Sequence, residues 1–161
     1  MERMGTQLNN GPDIRTVYEA NALAFLHNVH GLLDSVPYAL NLMFRTVTDI
    51  ERKDISWNKD FINRYLDYPF HNKLSQFMNN GLFLQIKAYA NRTKHKQLVR
   101  ISNTYNNLIF ESFCYKDNHK NICTFGEQEV RKFMAECHND LIPNCIELYK
   151  LFGLFQQSKI G

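Results

Sequence analysis

The sequence predicts an all-α fold: a helical bundle with one small β-hairpin inserted before its last long helix. Three observations point there. Apolar residues recur at three- and four-residue spacing along most of the chain. Only 7 glycines and 4 prolines interrupt 161 residues, too few for a barrel or sandwich built on many tight turns. The period drops to two in a single stretch, between Val99 and Phe113.

The length suits one domain. Within 1–161 the pattern divides into a flexible arm at 1–13, leading helices at 14–47, middle helices at 58–96, a hairpin at 97–115 and a terminal helix at 125–156. Asp13 follows Gly11-Pro12 and is a plausible cap for the first helix. Val17, Ala20, Ala24 and Val29 line one side of that helix, and Leu23, Phe25 and Leu26 widen the stripe. Pro37 predicts either a kink or a second helix that starts at Ser35. Residues 49–60 are polar and read as a connection, anchored by Trp57. Phe61, Tyr65 and Leu66 suggest a helical turn or two before Pro69, Leu74, Phe77 and Met78 resume the period, and Asn79-Asn80-Gly81 ends it. Leu82, Ile86, Tyr89 and Ala90 open a further helix.

Ile101 and Asn103 alternate with Ser102 and Thr104, and Leu108 and Phe110 alternate with Ile109 and Glu111, giving the hairpin. Thr124-x-x-Glu127 has the form of a capping box. Val130, Phe133, Met134, Cys137, Leu141, Cys145, Leu148, Phe152 and Phe155 then form the stripe of the last helix, which Pro143 should bend rather than end.

Charge is uneven. The formal net charge is +3, yet Lys87, Arg92, Lys94, Lys96 and Arg100 fall in one stretch without an acidic residue. Such a stretch suits a phosphate backbone or a solvated face. The four cysteines, Cys114, Cys123, Cys137 and Cys145, form no Cys-x-x-Cys pair and read as small apolar residues of a reducing compartment. No apolar run reaches the roughly 18 residues a membrane span needs. The start, Met1 to Asn10, lacks the apolar core of a secretory signal. The protein is expected to be cytoplasmic, with no membrane partner and no cofactor.

Three polar constellations are candidate sites. His27, His30 and Asp34 share one helix face, suited to a divalent metal, to an imidazole held by a carboxylate, or to a solvent-facing stripe. Asn91, Arg92, Lys94 and His95 bring an amide, cations and an imidazole within reach of one ligand. Imidazole exchanges protons near neutral pH, and the cations would steady a phosphate. Arg131 and His138, seven apart on the last helix, are a rival placement.

The order of these parts resembles the HEPN superfamily of small helical bundles. The residues that carry the resemblance are Asn91-Arg92-Thr93-Lys94-His95 and the leading segment from His27 to Phe44, with Asp34 as its polar edge residue. The superfamily's spacing from Arg to His is met by Arg131 and His138. The resemblance implies a metal-independent endoribonuclease of a toxin–antitoxin or phage-defence system. His95, Arg92, Asn91 and Lys94 would be its catalytic groups, with RNA as ligand, a homodimer as the working form and an antitoxin-like protein as a further partner. Two other functions fit the residues: a non-catalytic helical module that oligomerises through an apolar face, and a bundle that binds metal through His27, His30 and Asp34.

Overall fold

A computed structural model describes residues 14–49, 51, 54–95, 100–104, 107–116 and 121–158. The candidate cap Asp13 lies outside them. Helix α1 (Ile14–Phe44) runs unbroken through Pro37. Proline has no N–H, so the carbonyl of Leu33, four residues back, loses its helical partner. The buried indole of Trp57 supplies the missing donor: its Nε1 bonds to the Leu33 oxygen at 2.7 Å. Ser35 does not start a second helix. Its hydroxyl donates back to Leu32 O at 2.6 Å.

The end of α1 is fixed by a buried amide. The N–H of Arg45 closes the last turn on Asn41 O, and Arg45 itself adopts the left-handed conformation, at φ 50°. The side chain of Asn41 holds both backbone groups of Val47. Its Nδ2 donates to Val47 O at 2.9 Å, and its Oδ1 accepts from Val47 N at 2.8 Å. The chain is thereby turned back toward Trp57, which stacks on Phe77 and meets Phe83 edge-on.

Asn58 caps the short helix α2 (Lys59–Ile62) by accepting from Phe61 N, and a 3-10 turn, Asn63–Tyr65, follows. Helix α3 (His71–Met78) stops at the Asn79-Asn80 pair. Asn80 also starts the next element, since its Oδ1 accepts from Phe83 N in the first turn of α4 (Gly81–His95).

Beyond α4 the fold departs from an all-α bundle. Strands β1 (Ile101–Thr104) and β2 (Asn107–Phe110) form the expected hairpin, in the register Ile101↔Phe110. A short β5 (Gln128–Glu129) pairs on the other edge of β2, giving a three-stranded antiparallel sheet. β3 (Phe113–Lys116) and β4 (Ile122–Phe125) form a second antiparallel sheet, with Phe113↔Phe125 and Tyr115↔Cys123 opposed. The protein is therefore mixed α/β, and the all-α, HEPN-like expectation is corrected. Thr124 lies in β4, so the expected capping box does not form, and the last helical run starts at Val130 rather than near residue 125.

The sheets belong to the core. Tyr89 of α4 is ringed by Phe110, Phe113 and Phe133, with centroids at 5.0, 4.8 and 5.6 Å. Its hydroxyl accepts from Gln128 of β5 at 2.8 Å. The final run comprises α5 (Val130–Glu136), a π turn (Cys137–Leu141) and α6 (Ile142–Gln157). Pro143 explains the π turn. It can neither bond to the Asn139 carbonyl nor fit against it in a regular turn. The helix widens instead, with Ile142 N bonding to Cys137 O, and both Asn139 and Pro143 face solvent. Val130, Phe133, Cys137, Leu141, Cys145, Leu148 and Phe152 are all buried along this run.

Burial pushes the thiols of Cys137 and Cys145 up to about 12 and about 11, and the Tyr89 phenol up to about 12. Each group thus holds its proton more tightly folded than unfolded. The associated stability is complete below the unfolded values, 9.0 for the thiols and 10.0 for the phenol, and is lost as pH rises through the folded values. The melting temperature should fall steadily above pH 9. An aromatic disulfide reagent at pH 8 should label exposed Cys114 at once, and Cys137 and Cys145 only on unfolding. Fast labelling of all four thiols would contradict this core.

Candidate functional site

Helix α1 lays its polar stripe against α4. His27 Nε2 lies 3.3 Å from Thr93 Oγ1. The Thr93 hydroxyl gives its own proton to Ala90 O, so the imidazole is the donor. His30 is buried, and its Nδ1 meets Asp34 Oδ2 at 3.2 Å. Burial lowers the affinity of Lys87 on α4 for its proton, and the negative charge of Asp34 partly offsets that effect. Two of the predicted constellations are thus neighbours across one helix pair. They do not converge as metal ligands, because His27 and His30 are engaged with different partners. Among the described residues no group of three His, Cys, Asp or Glu side chains is placed to hold an ion. The metal-binding bundle is corrected accordingly.

The second constellation divides. Asn91 is exposed, whereas Arg92 is half-buried and its guanidinium lies 5.0 Å from the centroid of the Phe113 ring. Lys94 and His95 fall in the last turn of α4, but their side chains, and Lys96, lie outside the described residues. Arg92 opens onto a small cleft between α4 and the sheets. Its lining is Arg92, Arg100, Glu111, Ser112 and Phe113, around roughly 30 Å³ of free space. The N–H of Glu111 bonds to Arg100 O at 3.0 Å, extending the β1–β2 ladder and placing Arg100 beside the link to β3. The lining residues carry two guanidinium groups, a hydroxyl and one carboxylate beside the buried Phe113, for a formal charge of +1 from two arginines and one glutamate. Arg100 was legible only as part of the acid-free stretch. Glu111, Ser112 and Phe113 carried no functional signal in the sequence.

Arg131 is exposed on α5. His138 is exposed on the π turn, and its Nδ1 donates to Asn139 Oδ1 of the adjacent residue at 3.0 Å. No described contact joins either of them to the cleft.

No family model, no curated protein and no solved structure matches this chain. The expected HEPN-like, RNA-directed ribonuclease of a toxin–antitoxin or antiviral defence system is corrected by the fold. The chain carries two antiparallel sheets where that superfamily's bundle is helical. The same sheets correct the helical class of the other alternative, a non-catalytic module that oligomerises through an apolar face. Among the described residues no helix is long and apolar enough to cross a membrane.

The seam between α1 and α4 is open to a direct check. Asp34 is half exposed, so its loss should be modest. Asp34→Asn is expected to lower stability by about 1 kcal/mol at neutral pH. In a Lys87→Met background the same change should act by a different amount, because the two charges are coupled. Denaturant melts of the four proteins measure this, and strict additivity would show that Asp34 and Lys87 do not interact.

Proposed function

We propose that the chain is a binding protein that holds a ligand by its terminal phosphate group in the cleft between α4 and the sheets. The observation that carries this reading is the pair of arginines, Arg92 and Arg100, lining one small cleft together with Ser112. Guanidinium forks match the oxygens of a tetrahedral phosphate, and charge-assisted bonds of this kind are among the strongest in proteins. The cleft is small and admits only the end of a ligand, so the remainder would lie across the surface beside exposed Asn91. Glu111 opposes the anion and keeps the field of the cleft weak. The four free thiols support a reducing setting such as the cytoplasm.

Titration calorimetry with inorganic phosphate, against chloride at equal ionic strength, tests the reading. Arg100→Gln should weaken phosphate binding about 10-fold or more, at the lower end of what one charge-assisted contact supplies. Arg92→Gln should do the same, and the melting temperature will report any loss of its packing on Phe113. Glu111→Gln should strengthen binding, because it removes a like charge from beside the anion. Absence of phosphate binding by the wild-type protein, or binding indifferent to Arg100, would refute the proposal.

A further inference from the structure

The solvent side of α1 has features that the folded chain itself does not use. From Ala20 to Phe44 the helix carries one carboxylate, Asp34, which lies on the flank toward α4 with its partners His30 and Lys87. The rest of the outward face is uncharged. Leu42 there is 63% exposed, Tyr38 47% and Leu32 40%. Ile146 of the neighbouring α6 adds a fourth apolar side chain, 47% exposed, and the two helices are pinned together by Ser35 Oγ and Tyr149 OH at 3.0 Å.

Two glycines sharpen the point. Gly31 and Gly153 lie inside these helices, where glycine is less favourable than alanine. Neither has a positive φ, and a Cβ built on either would meet nothing within 4 Å. The monomer therefore gives neither glycine a reason. A second backbone approaching closely would. Gly31 lies between Leu32 and Tyr38 on the outward side of α1, and Gly153 lies two turns from Ile146 on α6.

We propose that this α1–α6 face is the interface of a symmetric homodimer, in which the apolar side chains of one copy seat over the glycines of the other. Three arguments favour a second copy as the occupant. Protrusions and hollows occur on one and the same face, as a two-fold interface requires. The outward side of α1 is uncharged, so it meets its own image without like-charge repulsion, and on the α6 half the charge on the face of Ile146 and Gly153 is that of exposed Lys150. The size is also right. The four side chains, 40% to 63% exposed, together leave an area of a few hundred Å² in water, the order of the apolar share of an interface that buries about 800 Å² per partner.

Sedimentation equilibrium of the full chain over a concentration series tests the proposal. The wild-type protein should sediment as a dimer that dissociates on dilution. Leu42→Glu should raise the dissociation constant at least about 10-fold, since it places two like charges in an apolar interface. Gly31→Ala provides the sharper test because its two effects oppose. It should raise the melting temperature of the dilute monomer, through helix propensity, while weakening the dimer. Ile122→Glu, on the exposed sheet far along the chain, is the control and should leave the dimer unchanged. Circular dichroism of each variant confirms folding. A wild-type monomer at every concentration overturns the proposal, as does a dimer unmoved by Leu42→Glu or one dissociated by Ile122→Glu.

Discussion

The hydrogen bond from the Trp57 indole to the Leu33 carbonyl is the contact on which the helical half depends. Proline inside a helix removes a backbone donor and commonly breaks or kinks it. Here the chain leaves α1, turns on Asn41 and Arg45, and returns the one side chain that can replace the lost donor. An unmet buried carbonyl would cost about 1–3 kcal/mol, a large part of the stability of a domain this size. The same contact positions the aromatic face on which Phe77 and Phe83 pack, so α3 and the start of α4 are placed by it too. Pro143 presents the same problem in the last helix and is resolved differently. It faces water, so a local π turn suffices and no distant donor is recruited.

From that scaffold the route to the cleft is short. Trp57 fixes α4 at its start, and Tyr89 in its middle gathers Phe110, Phe113 and Phe133. The strands are thereby held against the last two turns of α4, where Arg92 reaches Phe113 and the cleft opens. The cleft exists because a helix end and the β2–β3 link are bound to one aromatic cluster. A purely helical chain with the same basic stretch would leave Arg92 in open solvent.

Helices were legible in the sequence wherever burial follows the 3.6-residue period. The stripe of the last helical run is buried except at Met134 and Phe155, which are partly buried, and the hairpin between Ile101 and Phe110 is paired as its alternation suggests, whereas Val17, Ala20 and Ala24 of the stripe expected on α1 are exposed. The second sheet was not legible. In β4 burial alternates, with Ile122 and Thr124 exposed and Cys123 and Phe125 half-buried, but the hydropathy of the sequence does not follow it, because the isoleucine takes an exposed position. Its stability comes from pairs such as Tyr115 and Phe125, stacked at 4.5 Å, which only a chain reversal brings together. β5 is two residues long and exists only through its partner β2. Half of the cleft was hidden for the same reason. Arg92 and Arg100 stand in a visible run of cations, whereas Glu111, Ser112 and Phe113 acquire meaning only when β2 is laid beside β1. Trp57 was visible as an anchor, but its partner carbonyl was not, because a side-chain bond across 24 residues leaves no periodic trace.

A double-mutant cycle on Trp57 and Pro37 tests the central claim most directly. Trp57→Phe keeps most of the ring and removes the donor, and by itself should cost about 2–3 kcal/mol in a denaturant melt. Pro37→Ala restores an N–H that can close on the Leu33 carbonyl within the helix. In the Pro37→Ala background, Trp57→Phe should therefore cost at least about 1 kcal/mol less. Additivity of the two changes within about 0.5 kcal/mol would contradict the account, because Trp57 would then be packing against α1 without completing it.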